Sequence, residues 1–203
     1  MFTMAQDNRD VICRGLMGLI GTRTPTLGEA LLSEAAQRRI KPRLFVSYQH
    51  SNDQSWCNLF RQYFGEQYEL FTDTSPSRKV ESDDAEYIGR AIRERYITRS
   101  SITVVLCGIT THRRKHVDWE IHATLDKKHA LLGIILPTLK PNAAGKYVVP
   151  ARLYDNCRYG YAHLVCWSTE AADVAAALAE ARRRAGSVSA IVNYREKMKR
   201  NQM

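Results

Sequence analysis

From residue 41 onward, the sequence alternates short apolar runs with segments whose apolar residues recur at helical spacing. The apolar runs predict strands at residues 43–48, 68–73, 101–107, 131–136 and 163–167. The helical spacing predicts helices at residues 53–64, 84–97 and 170–185, and a further helix that begins near residue 112. The third and fourth strands are nearly continuous apolar runs, which is typical of strands covered on both faces. This order predicts an α/β fold with a doubly wound parallel sheet of about five strands.

Candidate cap residues precede two of these helices. Ser51, Asn52 and Asp53 stand at the start of the first helix, and Ser168 or Thr169 stands before the last one. The last strand follows a stretch without clear periodicity, so we expect a long loop between residues 137 and 162.

The helix near residue 112 carries a carboxylate at the border of its apolar face. On a helical wheel with about 100° per residue, Val117, Ile121 and Leu125 define a buried stripe together with Thr124. Glu120 lies at the edge of this stripe, and His116 lies beside it on the same rim. Ligands of an open parallel sheet bind beyond the carboxyl ends of its strands, close to the start of this helix. Glu120 is therefore a candidate ligand-binding carboxylate.

Two other interpretations of Glu120 stay open at this stage. The carboxylate could instead pair on the rim with Lys127 or Arg113, or with a polar group of a neighbouring strand. His112, His116 and Glu120 also follow one another at four-residue spacing, with His122 nearby. Zinc hydrolases place two histidines around a glutamate as HExxH, and this pattern is missing. We therefore expect no metal.

Length and composition predict a single core with extensions. The chain has 203 residues and is 44% hydrophobic, which suits one globular domain. We divide it into an N-terminal helical extension (1–40), a domain (41–185) and a basic C-terminal tail (186–203). Neither a membrane span nor a secretory leader is visible, so we expect a cytoplasmic protein without membrane contact. Five scattered cysteines without CxxC spacing are expected to be reduced packing residues.

The net charge of +9 is concentrated at the C-terminal end. Residues 182–203 contain seven Lys and Arg residues and one Glu, which gives this end a net charge of +6. A basic end of this kind is more often solvated than a reader of nucleic acid sequence, and no nucleic-acid motif accompanies it. We therefore expect no nucleic-acid partner, although a nucleic-acid sensor that uses this end is a third, weaker hypothesis.

Several segments together resemble one protein family. They are FVSY at 45–48 with His50 and Asn52-Asp53-Gln54, FTD at 71–73, IRERYITRSSITVVLCG at 92–108, and HRRKHVDWEI at 112–121 followed by LLGIILP at 131–137. In this order they resemble the TIR-like domains of Thoeris-type bacterial anti-phage systems, over about residues 42–167. RRKHVDWEI together with GIILP is specific to this resemblance.

The resemblance implies a flavodoxin-like TIR fold and an enzyme that consumes NAD⁺ as its substrate, without a cofactor. It implies that Glu120 is the catalytic residue, and that the products are nicotinamide and a cyclic ADP-ribose isomer. This second messenger would activate a partner effector. The resemblance also implies assembly into a homo-oligomer. The alternative is a non-enzymatic interaction module that recruits a partner through its TIR-like surface.

The resemblance extends to seven substrate-binding positions. They are Ser47, Tyr48, His50 and Asp53 in the first strand-to-helix connection, Asp73 at the end of the second strand, and His116 and Trp119 beside Glu120. Cap, turn or core roles would also explain Ser47, Tyr48 and Asp53. One position departs from the pattern: relatives often carry Trp four residues before the catalytic Glu, where this chain has His116.

Overall fold

The computed structural model describes residues 41–72 and 95–202. Its regular elements are β1 (Arg43–Ser47), α1 (His50–Phe64), β2 (Glu69–Thr72), β3 (Ile102–Cys107), α2 (Lys115–Asp126), β4 (Ala130–Ile135), α3 (Ala151–Arg158), β5 (His163–Cys166) and α4 (Ala171–Ala185). Single turns of 3-10 helix lie at Thr111–Arg113 and Val188–Ala190. Residues 95–99 are helical and lead into β3.

The strands of the described residues form one parallel sheet in the order β2-β1-β3-β4-β5. From β1 the chain first moves outward to β2, and it then returns to place β3 on the other side of β1. This strand order is that of flavodoxin-like proteins, with the direction of winding reversed between β1 and β3. The predicted doubly wound α/β fold is confirmed.

Helices cover both faces of the sheet. On one face, Phe60 and Phe64 of α1 and Leu178 of α4 pack with the strand residues Val104 and Leu132. On the other face, α2 and α3 pack through side chains that include Val117, Ile121, Leu125 and Leu153. All six residues of β3 and all six of β4 are buried. Groups that act on a solvent-borne ligand must therefore lie beyond the strand ends.

The N-cap residues of α1 and α4 differ from the predicted ones. Helix α1 begins at His50 after the N-cap residue Gln49, so Ser51, Asn52 and Asp53 lie inside its first turn rather than before it. Gln49 has extended backbone angles, and the helix starts as soon as the chain leaves β1. The N-cap of α4 is Glu170 rather than Ser168 or Thr169.

The predicted loop between β4 and β5 contains helix α3. This helix has eight residues and begins directly after its N-cap residue, Pro150. Of its buried side chains only Leu153 is apolar, while Arg152, Asp155 and Asn156 are polar. An apolar period cannot reveal a helix that buries polar groups. The predicted extension at 1–40, Asp73 and most of the helix predicted at 84–97 lie outside the described residues.

The C-terminal segment is not the solvated end that its charge predicts. Residues 191–202, here called the C-terminal strap, run back along α3 and α2. The amide of Asn156 donates to the carbonyl oxygen of Val192 at 2.8 Å, and its oxygen accepts from the Val192 N–H at 3.0 Å. Arg195 of the strap forms an ion pair with Asp155 at 2.7 Å. The division of the chain at residue 185 stays a prediction.

Within the described residues, no helix is long and apolar enough to cross a bilayer. The four described cysteines are free: Cys57 and Cys107 are buried, Cys157 is half-buried, and Cys166 is exposed. Burial raises the pKa of the Cys57 and Cys107 thiols, so both stay protonated near neutral pH. Cys166 differs from the expected packing role because its side chain on β5 faces solvent.

Gly133 gives a test of how tightly β4 packs. A Cβ atom at this position would lie 2.5 Å from Cδ1 of Leu164 and 2.8 Å from Cδ2 of Leu153. Gly133→Ala is therefore expected to lower the free energy of unfolding in urea by about 1–3 kcal/mol. The matched change Gly186→Ala, at the exposed end of α4, is expected to stay within about 0.5 kcal/mol of wild type. Equal stability of the two variants would contradict the packing described for β4.

Candidate functional site

The candidate site lies where the winding of the sheet reverses. At this switch point β1 ends at Ser47 and β3 ends at Cys107, and their following loops diverge to opposite faces of the sheet. Such a divergence opens a crevice at the carboxyl edge of the strands, which is where doubly wound proteins bind ligands. The loop after β1 leads into α1, and the loop after β3 leads into α2.

Asp53 of α1 connects these two loops. Its carboxylate is 1% exposed and accepts a hydrogen bond from the Thr111 hydroxyl at 2.9 Å. The same hydroxyl accepts from the Gly108 N–H at 2.9 Å. Any Cβ atom at Gly108 would collide with the Asp53 carboxylate, so only glycine fits beside it. Asn52 adds a second link, because its amide donates to Thr110 at 2.9 Å.

Burial raises the pKa of Asp53 above its ordinary value. Hydrogen bonds from the Thr111 hydroxyl and the Gln49 backbone N–H, and the positive charge of Arg114, offset part of this shift. Burial dominates, so the carboxylate holds its proton more tightly in the folded chain than in the unfolded chain. Asp53 therefore joins the two loops and also places a titratable carboxyl group at the switch point.

Tyr48 and His116 link the end of β1 to α2. The Tyr48 hydroxyl donates to Oε1 of Gln54 at 2.9 Å, and the Tyr48 ring lies 4.5 Å from the His50 ring between centroids. Nε2 of His116 lies 3.3 Å from the carbonyl oxygen of Tyr48, within hydrogen-bond distance. His116 therefore faces the end of β1. Three predicted positions, Tyr48, His50 and His116, come together here.

Glu120 lies one turn after His116 on α2 and is only 1% exposed. The predicted stripe of this helix is confirmed, since Val117, Ile121 and Leu125 are buried with Thr124. Glu120 is buried more deeply than a side chain at the edge of an exposed face would be. A carboxylate in such a place costs free energy unless polar groups surround it, so its location is unusual for a residue that only supports the helix.

Two buried polar atoms at the end of β1 are available to a ligand. Oγ of Ser47 and Oε1 of Gln49 have no hydrogen-bond partner among the described residues. Buried polar atoms without a partner are rare in proteins and often bind a ligand or an ordered water. Gln49 is absent from the predicted set, yet it directly follows Tyr48 beyond β1. The family resemblance selected Ser47 and Tyr48 but not Gln49, although Gln49 lies in the same strand-to-helix connection.

Trp119 faces the C-terminal strap. Its indole N–H donates to the carbonyl oxygen of Met198 at 2.8 Å, and Nζ of Lys115 lies 5.5 Å from the ring centroid. Together with residues 196–199 it lines an open cavity of about 340 Å³. The predicted substrate-binding set is thus distributed over two places. Ser47, Tyr48, His50, Asp53 and His116 lie around the loops of the switch point, and Trp119 lies against the strap.

The histidines near α2 have separate surroundings. Burial lowers the pKa of His112, and the nearby Arg113 and Arg114 lower it further. Burial also lowers the pKa of His122, while Asp126, whose carboxylate lies 2.9 Å from Nδ1, acts in the opposite direction. Across residues 41–72 and 95–202, no three His, Cys, Asp or Glu side chains are grouped so that they could hold a metal ion.

Comparison with known proteins identifies one family. Residues 45–141 match the family described as Thoeris protein ThsB, TIR-like domain. The matched segment runs from β1 to the residues after β4 and includes the whole of α2. Among solved structures, the TIR domains of the activated Roq1 resistosome, which directly recognises the pathogen effector XopQ, are 12% identical in sequence. That match covers 75% of this chain and 86% of the other, with a TM-score of 0.37. No curated protein matches the sequence.

The raised pKa of Asp53 predicts a pH-dependent contribution to stability. The ordinary pKa of an Asp side chain is 3.8, and the folded chain binds this proton more tightly. The contribution of Asp53 to stability therefore falls as the pH rises above 3.8, and it levels off above the pKa of Asp53 in the folded chain. Asp53→Asn lacks this dependence, so its stability relative to wild type is expected to increase over this interval. Urea unfolding of both proteins between about pH 4 and pH 7 measures the difference. The opposite trend would mean that hydrogen bonding outweighs burial at Asp53.

Proposed function

We propose that this chain, which over residues 45–141 matches the TIR-like domain family of the Thoeris protein ThsB, is an enzyme that cleaves NAD⁺. Its role would be in bacterial anti-phage defence. It would release nicotinamide and make a cyclic ADP-ribose isomer that signals to a partner effector. NAD⁺ is the substrate in this proposal, and no further cofactor is needed.

The observation that carries this proposal is the position of Glu120. The family segment includes α2, and Glu120 is a buried carboxylate within two turns of the start of that helix. The start of α2 follows the loop after β3, at the switch point of the sheet. Three observations therefore support Glu120 as the catalytic group: the family match includes its helix, the fold binds ligands near the start of that helix, and the carboxylate is buried.

The chemistry of the reaction suits a single fixed carboxylate. When the bond between the ribose and nicotinamide breaks, the bonding electron pair leaves with the nicotinamide nitrogen, which becomes neutral. The leaving group therefore needs no acid. The ribose passes through an oxocarbenium-like state, and the carboxylate of Glu120 would stabilise its positive charge and bind the ribose hydroxyls.

The substrate would lie between α2 and the loops of the switch point. Ser47 supports this placement, because its buried hydroxyl has no partner among the described residues. His116 supports it as well, since its ring faces the Tyr48 carbonyl and could stack on a base or on nicotinamide. His50 and Asp53 belong to the proposed substrate-binding set at the switch point, while Asp73 and Trp119 are included in the set on the family resemblance alone.

Exclusion of water would determine the product. A nucleophilic group of the same ADP-ribose could capture the oxocarbenium-like carbon only if it reaches that carbon before water does. Capture from within the molecule gives a cyclic product, whereas capture by water gives ADP-ribose. Assembly of several copies would help to close the site, so the proposal includes a homo-oligomer.

Glu120→Gln is expected to reduce nicotinamide release by at least about 100- to 1,000-fold, because the neutral amide cannot stabilise a developing positive charge. The side chain keeps its shape, so the unfolding temperature is expected to stay nearly unchanged. Chromatography of NAD⁺ incubated with concentrated purified protein measures nicotinamide and the cyclic product. Equal nicotinamide release by the variant and the wild type would refute the role of Glu120.

Glu66→Gln is the matched control, because Glu66 is exposed just after α1 and lies outside the site. It should release nicotinamide at the wild-type rate. If neither wild type nor variant turns over NAD⁺, the same assay in phage-infected cells separates a triggered enzyme from an interaction module. An interaction module would assemble or capture its partner independently of Glu120.

A further inference from the structure

Helix α2 is held along its length by the C-terminal strap. At its first residue, Oδ1 of Asn201 accepts from the backbone N–H of Lys115 at 3.0 Å. One turn later, the Trp119 indole donates to Met198. Near the end of the helix, the amide of Asn193 donates to Oδ1 of Asp126 at 2.7 Å. The strap therefore touches the beginning, the middle and the end of the helix that carries Glu120.

The contact of Asn201 replaces a missing cap. Arg114, the N-cap residue of α2, makes no side-chain hydrogen bond to the helix. The first backbone N–H groups of a helix have no partner within the helix and need one from outside. Asn201 supplies such a partner from a position 86 residues along the chain. The next strap residue, Gln202, adds a backbone bond to the carbonyl oxygen of Arg113 at 3.0 Å.

A buried ion pair lies beneath the strap. Arg152 of α3 is 0% exposed and donates to both carboxylate oxygens of Asp118, at 3.0 Å and 3.3 Å. Its remaining N–H groups donate to the strap. One hydrogen bond goes to Oδ1 of Asn193 at 2.8 Å, and another goes to the carbonyl oxygen of Arg195 at 2.9 Å. The Met198 N–H donates to Asp118 as well, at 2.9 Å. One guanidinium thus joins α2, α3 and the strap.

The ion pair between Asp118 and Arg152 restrains the rotation of α2 about its axis close to Glu120. Asp118 precedes Glu120 by two residues, so the two carboxylates lie on opposite edges of the apolar stripe of α2. Turning the helix by roughly 10° would move a side-chain tip, at roughly 5–6 Å from the axis, by about 1 Å. A misplacement of about 1 Å at a reacting centre can reduce a rate by about 100-fold.

We infer that Asp118 and Arg152 are positioning residues, which together with the C-terminal strap fix the rotation of α2 and thereby place Glu120. The inference rests on the proposed function in so far as Glu120 is the catalytic residue. Neither side chain touches the substrate in this arrangement. Both act through the backbone of α2.

The test replaces both charges at once, with Asp118→Leu and Arg152→Met in one protein. A buried ion pair can be exchanged for apolar residues of similar size without loss of stability, whereas the loss of one partner leaves a buried charge. The double variant therefore keeps the core but removes the guanidinium and carboxylate that bind the strap. Arg183→Met is the matched control, because Arg183 is exposed on α4 and pairs with Glu180.

Three quantities are measured: the unfolding temperature, kcat and KM for nicotinamide release, and hydrogen exchange of the α2 amides. For the double variant we expect faster exchange across residues 115–121, a kcat lower by about 10- to 100-fold and a KM within about twofold of wild type. The control should match wild type in all three. If the ion pair were purely structural, the double variant would match wild type in unfolding temperature, kcat and amide exchange, and that result would overturn the inference.

Asn201→Ala keeps the test decisive if the double variant fails to fold. It removes only the exposed cap of α2, and the exchange of the first-turn amides should accelerate by roughly 2- to 30-fold, with a lower kcat. Unchanged exchange or unchanged kcat would overturn the inference. If wild type releases no nicotinamide either as purified protein or in phage-infected cells, the proposed function fails instead. Exchange alone then decides whether the strap fixes α2, since it does not depend on turnover.

Discussion

The structure depends on a parallel sheet that is buried on both faces. Because α1 and α4 cover one face and α2 and α3 cover the other, β3 and β4 have no solvent-exposed side. The polar side chain of β3, Thr103, pairs its hydroxyl with that of Thr124 on α2 at 2.7 Å. All other chemistry must lie at the strand ends, where the backbone leaves the sheet. The reversal of winding between β1 and β3 determines which of these ends can form a crevice.

Periodicity predicted the parts of the fold in which burial follows a simple rule. Strands β3 and β4 are continuous apolar runs, and the long helices α1, α2 and α4 bury one stripe each, so their positions could be predicted to within about three residues. Helix α3 could not be predicted, because it is short and buries Arg152, Asp155 and Asn156. In that helix, polar pairing with the strap replaces the apolar face that a sequence pattern can detect.

The geometry around the candidate site could be predicted from the sequence only where it follows from local periodicity. The helical wheel placed Glu120 and His116 on one rim, whereas the family resemblance selected Ser47, Tyr48, His50 and Asp53 around the end of β1. The contact between Asp53 and Thr111 joins positions 58 residues apart, and the contact between Asp118 and Arg152 joins positions 34 residues apart. Neither contact leaves a local pattern, because each depends on how separate elements pack. The charge of the C-terminal end also failed to predict its structure, since pairing of Arg195 with Asp155 is independent of net charge.

The capping of α2 by Asn201 has a consequence for the order in which the molecule is made. Asn201 leaves the ribosome 86 residues after Lys115, which at about 5–20 residues per second is a delay of roughly 4–17 s. During that time the sheet can form, but the first turn of α2 has only water at its N-terminus. A helix of 12 residues is marginally stable without tertiary support. A nascent chain would thus hold α2 without its N-terminal cap until the strap has been synthesised, and translation itself would delay completion of the proposed site.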